Sequence, residues 1–267
     1  MSAVAAPTGV TQLRVFRSEW TKLRSVRSTA WSLGAGFLLT IAFPVIFSFV
    51  ISSHWGHMST RERATHSPLE VALAGVNVAQ LAIAVLGVLV ISAEYSTGSI
   101  RSTFTAVPRR LPVLWAKLID YAVLSFVLMV PAVLVSFFAS QAILQHISRL
   151  QISFTQPGVA RSVIGGALYV MLVGIFALTI GAIVRNTAGG IATFAGIFFV
   201  LPPLMNILPL SWNNAISQYL PSEAGRQLFS LQHAAHTLTP LAGGLLLAAY
   251  CAAALAIAAV LLVRRDV

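Results

Sequence analysis

The sequence predicts an all-α integral membrane protein, a bundle of six transmembrane helices. Hydrophobic residues make up 57% of the 267-residue chain and charged residues 9%, and the mean hydropathy is +0.86. In a soluble domain, charged residues approach a quarter of the chain. Six apolar windows are each long enough to cross a bilayer, which takes about 20 residues. Such windows predict helices, because unpaired backbone groups cannot face lipid and barrel strands alternate in polarity over about ten residues.

These windows define the predicted domain organisation. The predicted spans are residues 30–52, 71–92, 118–144, 163–184, 188–208 and 241–263. Residues 1–29 precede this transmembrane domain (30–263), and residues 264–267 follow it. The first span is too long for the apolar core of a cleavable signal peptide, so we expect it to remain in the protein. The lone cysteine, Cys251, lies within the last span, which excludes an intrachain disulfide and favours a packing role.

The basic residues predict the orientation. If the N-terminus is cytosolic, twelve basic residues lie inside: Arg14, Arg17, Lys22, Arg24, Arg27, Arg101, Arg109, Arg110, Lys117, Arg185, Arg264 and Arg265. Five lie outside: Arg61, Arg63, Arg149, Arg161 and Arg226. Positive residues favour the cytosolic side, so both termini are predicted to be cytosolic. Because the charge flanks the spans and meets lipid headgroups, the net charge of +10 does not indicate nucleic-acid binding.

An amphipathic helix is predicted just before the first span. Apolar residues recur at three- and four-residue steps, at Leu13, Phe16, Trp20 and Leu23. Polar residues turn the other way, at Arg14, Arg17, Ser18, Thr21 and Lys22, although Glu19 and Arg27 fall near the apolar face. We expect this helix to lie in the cytosolic membrane interface, with Phe16, Trp20, Lys22 and Leu23 as its contacts. The alternative is a plain extension of the first span.

Short turns and small residues organise the fourth and fifth spans. Residues 185–187 are too few to separate the two spans, which must therefore form a hairpin. Ala188, Ala192 and Gly196 share one face of the fifth span, as Ala177 and Gly181 do in the fourth. Small residues let helices approach closely, so the first stripe is a predicted dimer or pathway face. The alternative is packing within one chain.

The end of the fifth span is predicted to be irregular. Pro202 and Pro203 should break or kink the helix there. The longer external segment that follows, residues 211–239, contains a helix start at Pro221 that we expect to run through Leu231.

The spans carry almost no ionisable chemistry. Asp120 and Glu94 lie near the cytosolic boundary, and no acidic, basic or histidine residue occupies a predicted midplane. An ion-coupled transporter usually needs such a group, so any driving energy is expected to enter elsewhere. The remaining interior polar residues are interpreted as helix-to-helix contacts rather than ligands: Asn77, Gln80, Ser125, Ser136, Gln141 and Asn206.

Motifs for catalysis and nucleotide binding are missing. The sequence has no GxSxG or HExxH motif and no paired intramembrane carboxylates, which disfavours an intramembrane enzyme. The P-loop needs a glycine before its lysine, but Lys22 and Lys117 follow Thr21 and Ala116. The chain is therefore predicted to bind no ATP itself.

The histidines form two HxxH spacings on the predicted outer side. His54 pairs with His57, and His233 with His236. Without an acidic or cysteine partner beside them, we interpret them as interfacial residues, with a metal site as the alternative.

The loop between the second and third spans, residues 94–117, reads EYSTGSIRSTFTAVPRRLPVLWAK and holds four basic residues and two prolines. Ser96 or Ser99 can cap a helix over about residues 98–106, and Pro108 discourages its continuation. Arg101 and Phe104 then share a face, which offers a charge and an apolar plug to a cytosolic groove.

The charges of this loop allow a second interpretation. Glu94 at the membrane edge needs a counter-ion, for which Arg101 or Arg109 is expected. Arg109, Arg110 and Lys117 are interpreted as largely topogenic. The alternative for the whole loop is a basic linker that touches only lipid.

Three segments carry a family resemblance: SEWTKLRS (18–25), EYSTGSIRSTFTAVPRR (94–110) and YLPS (219–222). With the predicted topology, they resemble the permease subunit of a type-2 ABC (ABC-2) exporter over nearly the whole chain. The resemblance implies a dimer with a second permease, a copy or a paralogue, and a separate cytosolic P-loop ATPase that binds the ATP. The loop helix and the N-terminal helix would both contact that ATPase. The implied coupling residues are Glu94, Gly98, Arg101, Phe104 and Arg109.

The resemblance leaves several matters open. Fifteen arginines against two lysines hint at a bacterium, and the implied location is its cytoplasmic membrane. Apolar and small residues along the pathway fit peptides, lipids, lipid-linked glycans or hydrophobic drugs. The alternative function, from a different class, is a membrane anchor or regulatory subunit that docks a cytosolic partner without transporting a substrate.

Overall fold

A computed structural model describes residues 11–107, 110–207, 209–231 and 237–265. These residues are predominantly helical, and none of them forms a strand. Three predicted site residues, Arg109, His233 and His236, lie outside the described residues, as does Pro108.

Most of the helices follow one another with short connections, whereas residues 145–158 separate α6 from α7. Those described are α1 (Gln12–Ser25), α2 (Arg27–His54), α3 (Thr60–Thr65), α4 (Pro68–Ser96), α5 (Ser99–Ala106), α6 (Arg110–Leu144), α7 (Val159–Val184), α8 (Thr187–Ala195), α9 (Leu201–Met205), α10 (Leu210–Ile216), α11 (Pro221–Arg226) and α12 (Pro240–Arg264). A π-helical turn, Gly196–Val200, joins α8 to α9 without a break.

Six segments of the described chain are long and apolar enough to cross a membrane, which confirms the predicted multi-pass helical bundle. They are α2, α4, α6, α7, the continuous segment Thr187–Met205 and α12. Helix α6 begins at Arg110, whereas the third span was predicted from residue 118. The charge of Lys117 ends the apolar window in the sequence, but in the fold this residue is 3% exposed.

Helices α7 and α4 form the centre of the bundle. Of the most apolar window of α7, 72% is buried by the rest of the chain, and of α4 56%. Their backbones meet closely at Gly87, where an added Cβ would clash with the carbonyl oxygen of Gly174. Gly174 in turn accommodates the ring of Tyr121, whose hydroxyl donates to the Ile83 carbonyl at 2.7 Å. Close backbone approach of this kind is typical of membrane helices, where packing replaces the hydrophobic effect.

Two interior polar residues, Gln80 and Ser136, connect neighbouring helices as predicted, whereas Gln141 bonds to the connection between α6 and α7. The hydroxyl of Tyr169 donates to Gln80 Oε1 at 2.5 Å, Ser136 Oγ donates to the Ala72 carbonyl at 2.8 Å, and the Ile152 amide donates to Gln141 Oε1 at 2.9 Å. Ser125 differs, because its hydroxyl donates to the Tyr121 carbonyl of its own helix. Such bonds are stabilising in a lipid environment, where an unpaired polar group has no water.

The two small-residue stripes have different surroundings. Ala177 is fully buried, and Gly181 packs against Val88 of α4, so the stripe on α7 serves packing within the chain. Ala188 and Ala192 of α8 are exposed. The α8 stripe is therefore left on the outer surface of the chain, and its role as a dimer or pathway face stays a prediction.

The fifth span contains an irregular turn just before its two prolines and continues through them without the predicted break. The Leu201 amide donates to the Gly196 carbonyl five residues back, which closes the π-helical turn just before Pro202 and Pro203. Helix α11 begins at Pro221 as predicted, but it ends at Arg226 rather than Leu231. The following amides donate three residues back instead of four, which tightens the chain into turns.

Candidate docking site and its charge cluster

Two residues, Thr97 and Gly98, separate α5 from the end of the second span. Gly98 has a φ of 72°, a left-handed conformation that favours glycine, and it occupies the N-cap position of α5. The helix starts within one residue of its predicted position. The predicted serine cap is wrong, because Ser99 is already the first helical residue and the Ser96 hydroxyl donates to the Ala93 carbonyl.

The inner face of α5 packs on the bundle. Ile100 is 3% exposed, and the half-buried ring of Phe104 packs in an apolar cluster with Val15 of α1 and Val113 of α6. The guanidinium of Arg110 lies 5.4 Å from the centroid of the Phe104 ring. Phe104 is therefore an internal anchor of α5, and it does not share the outward face with Arg101 as the sequence predicted.

The outer face of α5 is polar and cationic. Arg101, Ser102 and Thr105 are exposed. Both hydroxyls are bonded to the helix itself: Ser102 Oγ donates to the Ser99 carbonyl at 2.8 Å and Thr105 Oγ1 to the Arg101 carbonyl at 2.9 Å. This face offers a positive charge with a polar surround, without the predicted apolar plug.

Four charged side chains from three helices meet behind α5. Lys117 Nζ lies 2.6 Å from Glu19 Oε2 and 2.7 Å from Glu94 Oε1. Lys22 Nζ lies 2.7 Å from Glu19 Oε1 and 3.1 Å from Glu94 Oε1, and it donates to Thr103 Oγ1 of α5 at 3.2 Å. We call Glu19, Lys22, Glu94 and Lys117 the charge cluster. Its two acids and two bases balance, and it connects α1, α4 and α6 directly and α5 through Thr103.

The charge cluster corrects two expectations. Within the described residues, the counter-ions of Glu94 are Lys117 and Lys22, and Arg101 is exposed on the outer face of α5. Arg109, the other expected counter-ion, lies outside the described residues. Lys117, interpreted as topogenic, is instead buried between two carboxylates. Burying an ionised group is costly unless it is paired and hydrogen-bonded, and each lysine here meets both acids.

Helix α1 packs on the bundle through a stripe that shares only Leu23 with the face predicted to contact the membrane interface. Its buried residues are Val15, Glu19 and Leu23, at four-residue steps, and they pack towards α6. Leu13 and Trp20 are 61% and 39% exposed, while Phe16 is half-buried. An acid can occupy the buried face because Lys117 neutralises it. The interfacial position of α1 stays a prediction.

The charge of Lys22 is favoured by its surroundings. Partial burial opposes the charge, but hydrogen bonds and attraction from Glu19 and Glu94 outweigh it, so the pKa of Lys22 is raised above 10.5. The ammonium group is therefore firmly protonated at neutral pH.

A cavity of about 430 Å³ borders the charge cluster. It lies between α1, α2, α4 and α5, and Glu19, Lys22, Glu94 and Lys117 are all part of its wall. Within the described residues, Glu94 Oε2 has no hydrogen-bond partner. The charge cluster therefore packs against helices on its other sides and borders a partly open space on this one.

The described residues contain no group of three His, Cys, Asp or Glu side chains placed to hold a metal ion. His54 Nδ1 lies 3.0 Å from the Val50 carbonyl oxygen of its own helix. The second histidine pair lies outside the described residues.

Comparison with protein-family models finds no match to this chain, and comparison with curated proteins finds none either.

Proposed function

We propose that this chain is the transmembrane permease subunit of an ABC-2 exporter, driven by a separate cytosolic P-loop ATPase. The observation that carries the proposal is the form of α5. It is a short helix directly after the second span, with its inner face fixed to α1 and α6 and Arg101 exposed on its outer face. A helix that packs against α1 and α6 in this way can transmit the movement of a docked partner to several spans at once.

The proposed coupling route runs through the charge cluster. A partner bound at Arg101 would act on α5, and Thr103 of α5 contacts Lys22. Lys22 in turn meets Glu94 at the end of α4, and Glu94 meets Lys117 of α6. Within this proposal, Glu94 acts as a positioning residue between α5 and the spans rather than as a direct contact of the ATPase.

The proposal includes the remaining features implied by the sequence. The α1 end of the bundle faces the cytosol of a bacterium, and the protein lies in the cytoplasmic membrane. Two permeases assemble through the exposed face of Ala188, Ala192 and Gly196. ATP binds only to the partner subunit.

The decisive experiment is purification of the tagged protein from its native membrane in a mild detergent, followed by identification of the co-eluting subunits. A P-loop ATPase whose hydrolysis depends on the permease is the expected result. A cytosolic partner without ATPase activity would instead favour a membrane anchor or regulatory subunit.

Arg101→Glu tests the docking face within that complex. We expect the variant to insert normally and to lose partner-coupled ATP hydrolysis, because the charge facing the partner is reversed. Arg61→Glu is the matched control, since Arg61 is an exposed arginine on α3 at the other end of the bundle. Equal coupling in both variants would place docking elsewhere.

A further inference from the structure

We propose that a second cavity, at the α11 end of the bundle, binds the uncharged, hydroxyl-rich headgroup of an amphiphile. The cavity has a volume of about 580 Å³ and lies between α4, the π-helical turn, α9, α10 and α11. The inference rests on the proposed transport function only in treating the occupant as cargo. The binding site itself follows from the chemistry of its wall.

The α4 wall places amide groups at membrane depth. Asn77 and Gln80 are nine and twelve residues from Pro68, roughly 14 and 18 Å along the helix. Gln80 is held in place, because its Oε1 accepts from Tyr169 at 2.5 Å and its Nε2 donates to the Asn77 carbonyl at 2.9 Å. Asn77 Oδ1, by contrast, has no hydrogen-bond partner among the described residues. Polar side chains at this depth are costly unless they face a cavity or a partner.

The α11 wall carries a second unsatisfied group. Ser222 is 4% exposed and lines the cavity, yet its hydroxyl finds no hydrogen-bond partner in the described part of the chain. Buried polar atoms are nearly always paired, by protein, water or ligand. Asn77 and Ser222 thus place polar residues in the cavity wall from two different helices.

The cavity carries no net charge among the residues that line it. Glu223 and Arg226 lie one helical turn apart on α11, and their charged atoms are 3.5 Å apart. An anionic or cationic headgroup would have to compete with this pair. Most other polar groups in the wall are carboxamides or hydroxyls, including Asn213. These side chains both donate and accept hydrogen bonds, as each hydroxyl of a sugar does.

Apolar groups complete the wall on one side. Phe199 belongs to the π-helical turn and is 38% exposed, and Pro202 and Pro203 follow it. The next residue, Val200, is 53% exposed on the outer surface. Single π-helical turns occur frequently at functional sites. The ring of Phe199 can pack on the C–H face of a sugar, and the surface beside it suits an alkyl tail, which points to a glycosylated amphiphile.

Cysteine protection tests the proposal directly. Cys251 is the chain's only cysteine and is replaced first by alanine, after which Ser217→Cys places a thiol in the cavity wall. The rate of maleimide labelling is then measured in bilayer nanodiscs. Dodecyl maltoside at four times its dissociation constant should slow labelling about fivefold by simple mass action. Dodecylphosphocholine, which has the same tail, and free maltose should leave the rate nearly unchanged.

Matched variants define the site. Asn77→Leu should abolish the protection, whereas Asn214→Leu should retain it, because Asn214 is not part of the cavity wall. A thiol at Ser53, exposed at the same end of the bundle, should be protected by none of the three compounds. These controls separate cavity binding from a general change in the bilayer.

Each remaining outcome decides the proposal. Equal protection by both dodecyl compounds, or by neither, overturns headgroup recognition. Equal protection by maltose and dodecyl maltoside supports recognition of the sugar and overturns the role of the tail. The assay uses no ATPase, so a negative result leaves the proposed transport function intact, and a missing ATPase partner leaves the binding result intact.

Discussion

Lys117 and Glu19 form an ion pair of 2.6 Å, although each side chain is only 3% exposed. The lysine belongs to α6 and the glutamate to α1, 98 positions earlier in the chain. Their pairing attaches the N-terminal helix to the bundle by a buried charge contact as well as by the apolar packing of Val15 and Leu23. Several consequences of this arrangement can be measured.

Removal of Lys117 should destabilise the protein strongly. Lys117→Met leaves two buried carboxylates with only Lys22, and removal of one partner of a buried ion pair typically costs about 3 to 5 kcal/mol. Lys22→Met is the matched control. The Lys22 side chain is 38% exposed, so we expect a loss of about 1 kcal/mol or less. Thermal unfolding followed by tryptophan fluorescence measures both, and equal effects would contradict the central role of Lys117.

The contribution of Lys22 should depend on pH in the alkaline range. Its pKa in the folded protein lies above 10.5, so its stabilising effect is complete below that value and is lost as the pH rises through the folded pKa. The difference in unfolding midpoint between the wild type and Lys22→Gln should therefore be constant at neutral pH and shrink above pH 10.5. A difference that grows above pH 10.5 would contradict the predicted loss of stabilisation by Lys22.

Phe104→Ala should loosen α5 from the bundle. Truncation of a fully buried phenylalanine costs about 3 to 5 kcal/mol, and we expect roughly half of this for the half-buried ring. Phe104→Leu should lose less, since it keeps most of the apolar contact with Val15 and Val113. Hydrogen exchange of the α5 amides reports the loosening. Unchanged hydrogen exchange in the alanine variant would show that Phe104 does not anchor α5 to the bundle.

Gly87→Ala should disturb the centre of the bundle. The added methyl group would collide with the Gly174 carbonyl, and overpacking of this kind costs about 1 to 3 kcal/mol. Gly34→Ala is the control on α2, because the described structure leaves open space around its Cβ position. That substitution should stabilise the helix by up to about 1 kcal/mol. We expect the two substitutions to shift the thermal unfolding midpoint in opposite directions relative to the wild type.

Ala192→Leu should weaken dimerisation if the α8 stripe is the interface. The bulky side chain would keep a facing helix from approaching closely. Ala253→Leu adds the same group to an exposed position on α12 and should leave dimerisation unchanged. Single-molecule photobleaching in nanodiscs counts the subunits. Equal dimer fractions in the two variants would assign the α8 stripe to lipid contact.

The spans could be predicted from the sequence because membrane insertion depends on local hydropathy, which adjacent residues determine together. The charge cluster could not, because its members are distant in the chain and meet only after packing. One signal was present: Glu19 falls near the apolar face of α1. An acid in that position requires a buried cation, but the sequence does not reveal that Lys117 supplies it.

The position of α5 was predictable from the sequence, but its orientation was not. A serine cap and Pro108 predicted a short helix over residues 98–106, and α5 begins within one residue of the expected start although the serine cap is absent. The three-residue spacing alone predicted that Arg101 and Phe104 share one face of the helix. Their separation depends on α1 and α6, which provide apolar partners for Phe104 and none for Arg101.

The charge cluster also has a consequence for the order of assembly during synthesis. Glu19 leaves the ribosome 98 residues before Lys117, so the inner face of α1 has no buried counter-ion until the third span has been made. Until then the partner of Glu19 within the charge cluster is Lys22 of the same helix, whose side chain is 38% exposed. The N-terminal segment is thus the first helix of the described chain to be synthesised, yet it can dock only after α6 is in place.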